Sequence, residues 1–176
     1  SMYSRKKLLQ ENLFVVLFAM LVSSVGGLFG TAFFASLIGL GGSGGKLVRL
    51  SVLPRNVTTA LAIAISNILG GDISITASVV VLTGIVAATY SRTILDKLGI
   101  KDPITRGLAV GSAGQGLGVA SMIPEPDAFP FAAMAMVLTA VFSTTLVSIS
   151  SVKDVIIDIA TSEKAAAAAA ATATTV

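Results

Sequence analysis

The chain contains no cysteine, no histidine and no tryptophan, and it carries little charge. Without cysteine there are no disulfides and no thiol chemistry within it. Without histidine there is no imidazole to move protons near neutral pH, and Cys/His metal sites are excluded. Charged residues make up only 12% of the 176, against about 25% in an ordinary soluble domain. Hydrophobic residues make up 54%, and the mean hydropathy is +0.91. This balance reads as an integral membrane protein whose first partner is the lipid bilayer. The net charge of +3 is spread over loops and termini, with no basic run longer than Arg5-Lys6-Lys7. That argues against a nucleic-acid partner. No nucleophile–base pair is present, so the chain does not read as an enzyme, and nothing in it asks for a cofactor or a metal.

What is there is apolar sequence, in five pieces. Leu13 to Leu40 would reach about 42 Å as a helix, longer than a hydrocarbon core of about 30 Å. It therefore has to tilt, bend or emerge, and Gly26-Gly27 is the expected bend. With Arg5-Lys6-Lys7 ahead of it, it is too long for a signal peptide and reads as a span. Val57 to Leu69 is too short to cross comfortably. Ile73 to Leu95 and Phe129 to Ile149 are full spans. Between them lies Pro103 to Met122, apolar yet rich in glycine.

The sequence predicts an all-α integral membrane protein with about five transmembrane segments. Two of these are short or broken, with re-entry as the alternative to crossing. The organisation is a polar basic N-terminus over 1–12, a membrane domain over 13–150 and a polar, Ala-rich tail over 151–176. Within that tail, Val152 to Ala160 suits a short interfacial helix. Gly39 to Gly45 reads as a loop. Gly70-Gly71 ends one helix and Asp72 caps the next. Asp102-Pro103 reads as a cap followed by proline at the first helical position. Glu125-Pro126-Asp127 is a turn. If all five pieces cross, Lys46, Arg49, Arg55, Arg92, Lys97 and Lys101 collect on one face, which the positive-inside rule makes cytoplasmic or stromal.

The two weak segments carry the candidate site. An anchoring span does not need five glycines, an arginine and a glutamine in the Asp102–Met122 stretch. Broken helices in corresponding positions are the best sequence pointer to a transporter's binding site. Gly107, Gly111, Gly114 and Gly118 fall on one helical stripe, which serves either close helix packing or backbone exposed to a ligand. Gly116 lies off the stripe as an extra break. Ser112 and Gln115 are the central polar groups, suited either to an interhelical hydrogen bond or to a substrate carboxylate or hydroxyl. Arg106 either snorkels to the interface or pairs with an anion. Arg55 has the same two readings but looks more like a loop residue. Asn56, Thr58 and Thr59 sit at a helix start whose free N–H groups favour anions, or simply cap it. The candidate substrate-binding set is thus Asn56, Thr58, Thr59, Arg106, Ser112, Gly114, Gln115 and Gly116. No acidic residue lies deep within a span, so proton coupling through an intramembrane carboxylate is not evident.

At these residues the chain resembles the LrgB/CidB family of membrane proteins. The matching stretches are Arg55-Asn56-Val57-Thr58-Thr59-Ala60, Thr83-Gly84-Ile85, Ile100 to Ala109 with its Asp-Pro-Ile-Thr-Arg-Gly block, and Gly111 to Gly118. The turn Glu125 to Phe131 is more similar to the plant plastid branch. The resemblance implies a carrier of small monocarboxylates, with glycolate, glycerate or pyruvate as candidates. It also brings the description of bacterial members as antiholin- or holin-like modulators of murein hydrolase export. An LrgA-like partner subunit or a homo-oligomer goes with it. So does a location in the plastid inner envelope in a eukaryote, or the plasma membrane in a bacterium. Family members have further spans ahead of the region matched here, which implies that the first part of the domain is absent. Three positions depart from the family pattern. Gln115 stands for His, Val119 for Thr and Ala60 for Pro, and the first puts proton coupling through that His in doubt.

Overall fold

In the computed structural model the described residues, which are 12–42 and 45–162, form helices joined by turns, with no strand among them. The helices are α1 (Leu13–Leu37), α2 (Lys46–Val52), α3 (Thr59–Leu69), α4 (Ile73–Lys97), α5 (Pro103–Ser121), α6 (Phe129–Ser148) and α7 (Ser150–Thr161). Of these, α1, α4 and α6 are long and apolar enough to cross a membrane. Their ends follow the local chemistry. Asp72 Oδ1 accepts the Ile75 N–H at 2.9 Å, and Asp102 Oδ2 accepts that of Thr105 at 2.7 Å. Pro103 starts α5 directly after its cap. Gly70, at φ 78°, closes α3 in the left-handed region that glycine adopts without penalty.

One expectation fails here. α1 is not broken at Gly26-Gly27; it runs as one helix through both. Glycine at 27 serves a neighbour instead, since a Cβ there would lie 2.7 Å from Asn56 Nδ2. The excess length of the first apolar piece leaves the helix as a turn after Leu37.

Side-chain pairings fix the directions of the spans. Val16, Met20, Phe131 and Ala135 share one cluster, and Ser24 Oγ donates to Thr139 O at 3.2 Å, so α1 and α6 run parallel. α4 runs against them. Its first turn meets Ser51 through the Asp72 N–H at 2.7 Å and Thr76 Oγ1 at 2.9 Å. Its last turns meet the start of α5, where Arg106 Nη1 reaches Asp96 Oδ1 at 2.7 Å. We call the face holding the starts of α1 and α6 the first face and its opposite the second.

Both weak segments turn back. α2 enters from the second face and α3 returns to it, because Gly71 packs on the backbone of Ser51, with its Cβ direction 3.0 Å from Ser51 Cα. α5 enters from the first face, breaks at Gln115 (φ 46°, ψ −142°) and reverses. A Cβ at Gly118 would meet Val110 O at 2.8 Å, whereas eight residues of straight helix would separate the two by about 12 Å. The chain after α5 then brings Glu125 back to Arg106. The two pieces are therefore re-entrant hairpins and not crossings. Lys46 and Arg49 lie toward the second face, while Arg92, Lys97 and Lys101 lie toward the first. The cationic face expected from five crossings does not form.

A polar backbone reversal at membrane depth is tolerated only where protein or water covers it. The first hairpin is covered by a cluster that includes Leu28, Leu53, Val57, Ile65, Val80 and Ala140. The second lies between α4 and α6, with Val110, Val119, Met122 and Ala132 packed together. α7 closes the second face. Its Ile156 and Ala160 are buried, and Ser36 Oγ donates to Ser162 O at 2.9 Å. The helix predicted over 152–160 is thus present and slightly longer. The basic N-terminal run and the Ala-rich stretch lie outside the described residues.

Candidate functional site

The tips of the two hairpins meet near the middle of the spans. Asn56 Nδ2 lies 3.5 Å from Ser112 O, its donor end facing that carbonyl. On α1 the same tip rests against Gly27, the fifteenth residue of a helix of 25. Asn56 is 8% exposed, and its Oδ1 is buried with no hydrogen-bond partner among the described residues. A buried acceptor left without a donor costs free energy comparable to a lost hydrogen bond. Thr58 caps α3 by position but makes no side-chain capping bond. Thr58 and Thr59 are half-buried. The first N–H groups of α3 therefore point out of the helix end at the tip, where a half-helix terminus favours negative charge.

Across from it, Gln115 holds a backbone conformation that non-glycine residues rarely adopt. Its amide explains how this is kept in place. Gln115 Nε2 donates to Val80 O on α4 at 2.8 Å, and the side chain is buried. Gly84 leaves the room for this contact, since a Cβ there would lie 3.3 Å from Gln115 Nε2 and 2.9 Å from Leu117 Cδ1. The break falls on Gln115 itself and not on Gly116, whose Cβ direction is open.

The glycine stripe serves packing. A Cβ at Gly107 would run into Ala128 O, one at Gly111 into Ala132 O, and one at Gly114 would lie 2.6 Å from Ala87 Cβ. The first two admit α6 and the third admits α4. Gly118 lets the returning arm lie against the entering one. Ser112 is buried with its hydroxyl turned to its own helix, donating to Ala109 O at 3.2 Å, so it offers the tip its carbonyl.

Of the eight candidates, Asn56, Thr58, Thr59, Ser112, Gly114, Gln115 and Gly116 belong to the tips. Arg106 stands apart, nine residues before Gln115 and thus about 13 Å away along the helix. It is buried and bound on all sides. Its Nε and Nη2 grip the two Glu125 oxygens at 2.7 Å each, and Nη1 reaches Asp96 at 2.7 Å and Ile100 O at 2.8 Å. Glu125 also accepts from Arg92 Nε at 2.9 Å. This clamp joins the entering arm of the second hairpin to the end of its returning arm. Sequence reasoning treated Glu125 only as a turn residue. Reversal of the intervening helix is what brings it back to Arg106, and only the glycines hinted at that.

The Arg106 fork, helped by Arg92, holds the Glu125 carboxyl below its ordinary value of 4.5, against a smaller opposing effect of burial. A depressed folded-state value means that the stabilisation is complete above pH 4.5 and is lost as pH falls below it. The melting temperature of the detergent-solubilised protein is expected to drop below about pH 4.5, and Glu125→Gln should flatten that drop. Asp102, lowered by its bonds to Thr105, contributes in the same direction. An identical acid profile in the variant would remove Glu125 from the account.

Residues 1–152 match the LrgB-like family. The chain is 39% identical over 155 residues to the plastidal glycolate/glycerate translocator 1 of Arabidopsis thaliana, covering 87% of this chain and 30% of that protein. It is 31% identical to the holin-like protein CidB of Staphylococcus epidermidis, over 84% of this chain and 63% of that one. To the antiholin-like protein LrgB of Bacillus cereus strain B4264 it is 33% identical, over 68% and 50%. The chain thus spans from under a third to under two thirds of these relatives' lengths. The names describe transport or holin-like behaviour and not catalysis. No solved structure matches. Family match and membrane-spanning helices agree, and the chain belongs to the LrgB-like family of integral membrane proteins.

Proposed function

We propose that this chain carries the substrate site of a secondary carrier for small organic monocarboxylates such as glycolate, glycerate or pyruvate. The observation that supports it most is the meeting of two hairpin tips that enter from opposite faces. Carriers built from inverted units place their sites at such midplane breaks, with half-helix N-termini directed at anionic groups. α1 with its hairpin and α4 with its hairpin run in opposite senses, as such units do. In this reading the start of α3, with Thr58 and Thr59, attracts the anion. Asn56 Oδ1 accepts a substrate hydroxyl. Ser112 and Gly116 give a close backbone approach, Gly114 seats the tip against α4, and Gln115 sets the tip. Arg106 acts as a positioning residue that anchors the hairpin. An LrgA-like partner or a second copy completes the assembly.

The test is counterflow of labelled glycolate in liposomes holding the purified chain. Saturable exchange blocked by glycerate is expected. Gln115→Ala, which removes the bond to Val80, should cut the rate at least about tenfold, the size of one well-made polar contact to a critical group. Unchanged exchange in that variant would sink the role of the tip.

A second reading, a holin-like modulator acting through oligomers, has one observation in its favour. Gly26 and Gly30 on α1 have open Cβ directions, leaving a small-residue strip free for another helix. Release of an unrelated trapped dye from the same liposomes would favour it.

A further inference from the structure

Arg55 sits at the tip of the first hairpin, beside Asn56, and its surroundings differ from those of the other described arginines. Arg92 and Arg106 are neutralised by Glu125 and Asp96. Arg49 is held by the carbonyls of Leu40 and Gly42 at 3.0 and 3.4 Å. Among the described residues Arg55 makes one side-chain bond, from Nε to Thr31 Oγ1 at 3.1 Å, and no carboxylate pairs with it. Its side chain is exposed, and its Nη groups are uncommitted. Yet it is not at a membrane surface, because it reaches Thr31 on α1 and lies with Ala113 beside the break in α5.

Arg55 also borders two open grooves on the outside of the helices, lined largely by exposed side chains such as Phe34, Ile38, Leu82 and Tyr90. One, of about 390 Å³, extends along α1 through Thr31, Phe34 and Ile38 toward the second face. The other, of about 380 Å³, extends along α4 through Thr83, Ala87, Tyr90 and Ile94 toward the first face. Neither is lined by an acidic residue. A lone cation at this depth is costly against lipid, so such residues face protein or water and mark ion and substrate paths. A guanidinium presents a fork that fits a carboxylate. One residue on, the orphaned Asn56 Oδ1 is a second unfilled polar group at the same tip.

We infer that Arg55 takes the carboxylate of the transported acid, and that this one guanidinium serves the grooves leading to both faces. The inference rests on the carrier reading above and adds the residue that selects for charge. Arg55 is anchored at Nε by Thr31, which turns the remaining fork toward a ligand. An anion entering along either groove meets the same positive group before it meets the hairpin tips.

The experiment is thermal unfolding of the purified full chain in detergent, titrated with glycolate, with ethylene glycol and with sodium chloride at matched ionic strength. Glycolate is expected to raise the melting temperature, while its uncharged counterpart and the salt do not. Arg55→Gln should weaken the glycolate effect at least about tenfold, as expected for losing a charged hydrogen-bonded pair. Arg55→Lys, which keeps the charge but not the fork, should fall between. Thr31→Val, which frees the guanidinium, should weaken binding severalfold without touching the charge. Full protection of Arg55→Gln by glycolate would overturn the inference and leave the carrier reading standing. Should Arg55→Gln not fold, wild-type affinity in both Arg55→Lys and Thr31→Val would overturn it equally. No protection of the wild type overturns it as well, and wild-type glycolate counterflow then reports separately on the carrier reading.

Discussion

Replacing Arg106 with alanine is expected to destabilise the protein by about 2–3 kcal/mol, below the about 3–5 kcal/mol of a fully buried pair that loses one partner, because Glu125 and Asp96 keep contact with solvent. The loss is large because one guanidinium satisfies three groups at once. Glu125 loses both of its short bonds, Asp96 loses one, and the Ile100 carbonyl loses its donor. Lysine does not substitute, since a point charge cannot span both Glu125 oxygens in the geometry of the fork. Equilibrium unfolding in mixed micelles measures the effect. Glu125→Gln combined with Arg106→Met should cost less than Arg106→Ala alone, because the single change leaves a part-buried carboxylate with Arg92 as its one remaining cation. If Arg106→Ala unfolds at the wild-type denaturant concentration, the clamp does not hold the hairpin.

The second large effect is expected at Gly111. A valine there places its Cβ against the carbonyl of Ala132, with Ala132 Cα and C at 2.7 Å. These are backbone atoms within α6, so relief requires moving a whole helix. Overpacking of this kind usually costs about 1–3 kcal/mol, and the immobility of the obstacle puts Gly111→Val at the upper end or beyond. Gly116→Ala is the matched control. Its Cβ direction is open, and the change should stay within about 0.5 kcal/mol. Equal destabilisation of the two variants would mean that the stripe has no packing role. The same unfolding assay distinguishes them.

The sequence and the structure agree best where physics is local. Asp72, Gly70 and Asp102-Pro103 punctuate helices within a few residues of themselves, so their roles were legible. Hydropathy located the three spans for the same reason. The reversal of α5 was not legible. Glycines and a glutamine announce a weak helix, but whether it crosses or turns back depends on what α4 and α6 offer it. Gln115 illustrates this, since its strained backbone is held by a carbonyl 35 residues away. Gly27 looked like a bend because its partner Asn56 is 29 residues on, and no local pattern links them. Arg55 looked like a loop residue because it does lie in a loop, and its depth follows only from the hairpin that carries it.

Neither hairpin can enter a bilayer as an independent span. α3 has 11 residues and is about 16 Å long, roughly half the hydrocarbon thickness. Its tip would leave backbone groups bare in lipid at several kcal/mol each. During synthesis the first hairpin precedes α4, and the second precedes α6, the helices that cover them. Biogenesis therefore has to hold each hairpin at the interface or beside the insertion machinery until the following span is complete. The order of elements along the chain makes α6 the piece whose arrival lets the second hairpin sink to its final depth.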